Sequence, residues 1–99
     1  MNIQENGFEW DTGNIAKCQK HGISLEEIEA FFRSKIFVAP DLKHSGEEER
    51  FLAVGYSSDG KPMFVVFTIR SNLIRPISAR YMHKKEARNY EKNFTQNDE

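Results

Sequence analysis

Cysteine is almost missing from this chain of 99 residues. Cys18 stands alone, so neither an internal disulfide nor a cysteine metal cage can form. A single unpaired thiol suits a reducing cytoplasm. Long apolar runs are missing too: the longest, Met63 to Phe67, is far short of the ~20 residues a membrane-spanning helix needs. No basic start followed by an apolar run resembles a signal peptide, so a cytoplasmic location without membrane contact is expected. The chain also lacks internal repeats, a Gly-rich phosphate loop, a nucleophile elbow and a His-x-x-x-His pair. Its three histidines, His21, His44 and His83, are far apart and have no ligand spacing, so neither metal nor cofactor is expected.

What is present suits a small soluble globule. With 38% hydrophobic and 29% charged residues, the chain is neither disordered by composition nor a membrane protein. A chain of this size buries ~60–70% of its unfolded surface, enough for one modest core. Residues 1–99 therefore read as a single domain, ordered over about 8–94, with a loose tail at 95–99.

The net charge of −1 argues, taken alone, against a nucleic-acid binder. Division by segment changes that reading. Residues 1–69 hold seven Lys/Arg against eleven Asp/Glu, or −4; residues 70–92 hold seven against two, or +5; Asp98 and Glu99 restore the total. Such asymmetry hints at nucleic-acid contact, concentrated here in the last third.

Phe8, Glu9 and Trp10 read as a short extended start pinned by two aromatics. Asp11 and Thr12 are N-cap candidates for a helix to about Lys20, with Gly22 as its stop. Ser24 followed by Glu27 has capping-box spacing, and Leu25, Ile28, Phe31 and Phe32 form the buried stripe of a second helix. That stripe leaves Glu26, Glu27, Glu29 and Arg33 outside. A short strand at Ile36 to Ala39, stopped by Pro40, precedes a polar loop at Lys43 to Glu49. Three strands follow at Arg50 to Tyr56, Pro62 to Arg70 and Leu73 to Arg80. Short connections make them an antiparallel meander, with the middle run central and apolar on both faces. A third helix from near Met82 carries His83, Ala87, Tyr90 and Phe94 on one stripe, with Lys84, Lys85, Arg88 and Lys92 off it. The fold class is α+β: a small antiparallel β-sheet with N-terminal helices and a C-terminal helix.

In such a meander Arg50, opening one strand, and Arg70, closing the next, lie at the same edge, while Arg80 ends at the opposite one. A single site containing all three needs the twist and the helices to bring them together. Strict alternation puts Ile74, Pro76, Ser78 and Arg80 on one face of the last strand and Leu73, Arg75, Ile77 and Ala79 on the other. Arg75, among apolar neighbours, reads foremost as a structural ion pair with a glutamate. Pro76 lacks an N–H and fits best at an edge or a bulge.

Taken together, Phe8-Glu9-Trp10-Asp11, Lys20-His21-Gly22-Ile23-Ser24, Glu49-Arg50, Gly55, Ile74 to Arg80 and Glu86 to Tyr90 resemble the BrnT toxins of bacterial type II toxin–antitoxin systems, over roughly residues 8–90. The sequence departs from many members at Lys17, near which Asn is common, and at Pro76, where a β-branched residue is common. The resemblance implies a RelE-like fold, endoribonuclease activity and neutralisation by a BrnA-type ribbon-helix-helix antitoxin. It further implies a heterotetramer formed through the antitoxin dimer, which binds operator DNA.

Metal-free cleavage of an RNA substrate needs a base for the 2′-OH, cations for the phosphate and an acid for the leaving oxygen. Arg50 and Arg80 match the family's Glu-Arg and Ser-Ala-Arg elements and suit the cation role. Histidine side chains ordinarily exchange a proton near neutrality, so His21 would serve as acid or base, or else would cap the first helix. Glu49 is a base or an orienting partner of Arg50. Lys20, Arg70, Tyr81, Lys84 and Arg88 are candidate substrate-binding residues; Lys20 is otherwise solvated, Tyr81 otherwise packs on the sheet, and Tyr90 belongs to the core stripe. The rival reading is a non-catalytic module that uses the basic 70–92 segment to bind nucleic acid or an acidic partner.

Overall fold

Two side-chain caps start the N-terminal helices of the computed structural model, which describes residues 7–43, 46 and 48–89. Asp11 caps α1 (Thr12–Gln19) through a reciprocal box: its Oδ1 accepts from Asn14 N at 3.0 Å, and Asn14 Oδ1 accepts from Asp11 N at 2.7 Å. Gly22, with φ +83°, closes the turn after α1 and donates to the Gln19 carbonyl at 2.9 Å. Ser24 caps α2 (Leu25–Arg33) by accepting from Glu27 N at 3.1 Å. α2 buries Ile28, Phe31 and Phe32. Of the carboxylates expected outside this stripe, two are half-buried because aromatics bond them: Trp10 Nε1 donates to Glu29 and the Tyr81 hydroxyl to Glu27.

The remaining elements are β1 (Phe37–Pro40), β2 (Phe51–Tyr56), β3 (Pro62–Arg70) and β4 (Leu73–Tyr81), followed by a helix at residues 84–89. The sheet is antiparallel throughout, in the order β1-β2-β3-β4. The α+β fold, the meander and the central place of the Pro62–Arg70 strand are therefore as the pattern predicts. The two-residue turn Ser71-Asn72 has positive φ at both positions, the geometry that matches the twist of paired strands. The expected start at Phe8 forms a parallel bridge to Ile74. None of the described helices is long and apolar enough to cross a membrane. His44, Tyr90, Lys92, Phe94 and the expected tail at 95–99 lie outside the described residues.

α1 and α2 pack on one face of the sheet. Cys18, Ile23, Ile28, Phe31, Phe32 and Ile36 meet Ala53, Met63, Val65, Phe67, Ile74 and Ala79 in one core. Phe32 stands edge-on to Phe67 at 5.0 Å and to Phe31 at 5.4 Å. Each such buried side chain contributes about 1.5–3 kcal/mol through the surface it removes from water. Burial pushes the Cys18 thiol up to about 11, so it packs as an uncharged apolar group.

Gly55 lies in β2 where the chain leaving α2 presses on the sheet. A Cβ there would stand 2.9 Å from Ile36 Cγ2 and 3.3 Å from the backbone oxygen of Lys35. The Gly55→Ala substitution is expected to cost about 1–3 kcal/mol by overpacking, read as a lower urea midpoint with an unchanged slope.

Candidate functional site

Pro76 decides where the site lies. With no N–H to donate to β3, it breaks the ladder: Val66 faces Ser78 and Phe67 faces Pro76, leaving Ile77 as an extra residue. A bulge of this kind re-aims the side chains beyond it. Ile74 and Pro76 point into the core before it, and Ala79 and Tyr81 do so after it. The strict alternation expected along 73–80 is thus overturned. Arg75, Ser78 and Arg80 share the face opposite the helices, paired with Thr68, Val66 and Phe64.

Asn14 fastens the bulge to α1. Its side chain is buried, and Nδ2 donates to the carbonyl of Pro76 at 2.8 Å and to that of Glu9 at 2.9 Å. α1 is thereby held along the β4 edge, and Lys17 on it reaches the rim of the open face.

A groove runs there as two adjoining hollows. The first, about 270 Å³, is lined by Lys17, Glu48, Arg50, Arg70 and Arg75, with Gly13, Asn14 and Ile77. The second, about 250 Å³, is lined by Lys17, Asp41, Arg50, Val66, Ile77 and Ser78. Four cations thus face two carboxylates on its walls. Each hollow is smaller than the ~300–1,000 Å³ typical of a drug-sized ligand's pocket.

Arg50 and Arg70 come together in the first hollow, as the meander geometry requires. Arg70 Nε donates to Glu48 Oε1 at 2.6 Å, and that bond holds the Glu48 carboxyl below its usual range. Glu48, rather than Glu49, enters the groove. Glu49 is exposed beside it, and its carbonyl accepts from Thr68 Oγ1 at 2.7 Å. Arg75 makes the expected ion pair with a glutamate: its Nη1 lies 3.2 Å from Glu9 Oε1 and 2.9 Å from Asp11 Oδ2.

The other candidates stand elsewhere. Lys20 is the C-cap of α1 and His21 follows it; both are exposed, and neither lines the two hollows. Arg80 shares the open face but is clamped to Glu86 by two bonds of 2.8 and 2.9 Å, with its guanidinium 4.8 Å above the Phe64 ring. Tyr81 packs on the core side, and its bond to Glu27 raises its pKa. Lys84 and Arg88 are exposed on the C-terminal helix.

Sequence reasoning passed over Lys17, Arg75 and Glu48 as lining residues. The groove's cations come from α1, the start of β2, the end of β3 and the middle of β4, so they are not confined to the basic last third. The signal that would have found them is Pro76 itself, since a bulge in an edge strand turns Arg75 and Ser78 to one face.

Arg80, helped by the backbone N–H of His83, pulls Glu86 down to about 2 from an ordinary 4.5. The pair's contribution is complete above the ordinary value and is lost as the pH falls through the lowered one. Carbon NMR of the Glu86 carboxyl is expected to give a midpoint near 2, returning toward the ordinary value in Arg80→Ala. An unchanged midpoint in that variant would remove the clamp.

No individually curated protein matches this chain. The sequence model of one family, the ribonuclease toxin BrnT of type II toxin–antitoxin systems, matches residues 10–86. The matched stretch contains α1, α2, the whole sheet and every residue that lines the groove. A match over most of the 99 residues, on an α+β fold with a cationic groove, places the chain in the BrnT family of type II toxin–antitoxin ribonuclease toxins.

Proposed function

We propose that the protein cleaves RNA without a metal ion, by attack of a ribose 2′-OH on the adjacent phosphate. The observation that carries this reading is the convergence of Arg50, Arg70 and Arg75 on one open groove. Walls of that charge attract a phosphate backbone and repel a divalent cation. In the reaction a base takes the 2′-OH proton, the O2′–P bond forms, the P–O5′ bond breaks and an acid protonates the leaving oxygen. The products are a 2′,3′-cyclic phosphate and a 5′-hydroxyl.

Arg50 is the cation on the reacting phosphate, since it lines both hollows. Arg70 holds the strand at one end. His21, in the turn just beyond the α1 C-cap, is the acid or base. Glu49 acts at the rim on the neighbouring ribose. Arg80, two residues past Ser78 on the same face, extends the positive track toward Lys84 and Arg88, while Lys20 serves a flanking part of the strand.

The partner in this reading is a BrnA-type ribbon-helix-helix antitoxin in the cytoplasm, assembled as a heterotetramer that binds operator DNA. Phe37 and Tyr56 are exposed on the open face, and Leu52, Val54 and Phe64 beside them are half-buried. A contiguous apolar patch of this kind is suited to a protein partner.

Purified protein is expected to cut labelled RNA in the presence of EDTA, leaving cyclic phosphate ends. His21→Ala and Arg50→Ala should each lose roughly 100-fold or more while still folding. Dependence on added magnesium, or cleavage of 2′-O-methyl RNA, would overturn the mechanism. Full activity in both folded variants would overturn the assignment.

A further inference from the structure

The two hollows share Lys17, Arg50 and Ile77. Ile77 is the bulge residue, and it separates Arg50 on the β2 side from Lys17 on the α1 side. This is the waist of the groove, through which a strand lying along it must pass.

Arg75 and Arg70 are held by carboxylates. Arg75 is bonded to Asp11 and Glu9, and Arg70 to Glu48. Lys17 has no ion pair among the described residues. Its place in the last turn of α1 favours the helix dipole. A lysine at any exposed position of that turn would gain as much, however, whereas here it joins three arginines that repel it. A surplus of positive charge in a cleft, here four cations against two lining carboxylates, raises the local concentration of anions.

We infer that Lys17 binds a backbone phosphate of the RNA at the waist of the groove, opposite Arg50. The inference rests on the ribonuclease reading and adds to it a residue which that reading leaves without a role. Lysine acts as a point charge, so the contact supplies affinity and register rather than sequence preference. The grip is present before and during the reaction, so its loss raises KM and leaves kcat nearly unchanged.

The test uses the full chain, a cleavable RNA and its uncleavable 2′-O-methyl form, the latter followed by fluorescence anisotropy from about 50 to 200 mM salt. Lys17→Gln is expected to bind about tenfold more weakly at low salt. It should also lower the slope of log affinity against log salt by about 0.7, one phosphate contact on a single strand. Lys17→Arg should restore both. Equal affinity and slope in Lys17→Gln would overturn the role of Lys17 while leaving the ribonuclease reading intact. A lower Tm with an unchanged slope would assign Lys17 to the helix dipole and overturn it equally. If the unaltered protein neither cuts nor binds RNA, the ribonuclease reading fails, and this inference with it.

Discussion

The bond from the Asn14 amide to the carbonyl of Pro76 is the constraint on which the site depends. A proline inside a strand leaves its neighbours without a regular ladder, and a buried carbonyl with no donor costs about 1–3 kcal/mol. Asn14 supplies that donor from α1, and its second amide hydrogen holds the segment before the helix. One buried side chain thus ties together the segment before the first helix, the helix itself and the bulge. The bulge can then be large enough to turn Arg75 and Ser78 onto one face, and the helix close enough to wall the groove they help to form.

Electrostatics follow from that arrangement. Glu9 lies between Arg75 and Arg70, at 3.2 and 3.7 Å, and Glu48 holds Arg70 from the other side. These carboxylates fix the arginine forks in position. They also temper the potential, so the groove is positive without being a bare cluster of like charges. The more exposed of these pairs, Arg70 with Glu48, contributes little to stability, since surface pairs have a median near 0–1 kcal/mol. Their value is in orientation.

Much of this was legible in the sequence. Asp11, Ser24 and Gly22 mark the helix ends because capping chemistry is local, and the three apolar runs with short links leave little alternative to a meander. The same-edge placement of Arg50 and Arg70 follows from topology alone. The bulge marks the limit. Pro76 announces an irregularity, but alternation counted through it sends Ala79 to the wrong face. Where the extra residue falls depends on β3 and on Asn14, 62 residues away. For the same reason Lys17 looks like any solvated lysine until α1 is seen against the β4 edge. The choice of Glu48 over Glu49 as the groove's carboxylate likewise turns on the hydrogen bond between Thr68 and the Glu49 carbonyl.

The two edges of the sheet are both blunted. β1 is four residues long and ends in Pro40, which offers no N–H to a newcomer. β4 is covered by α1 and by the bridge from Phe8 to Ile74. A partner therefore has little backbone to extend and must engage this protein through side chains. Growth by strand addition, the route by which sheets polymerise, is disfavoured even with an apolar face in the open.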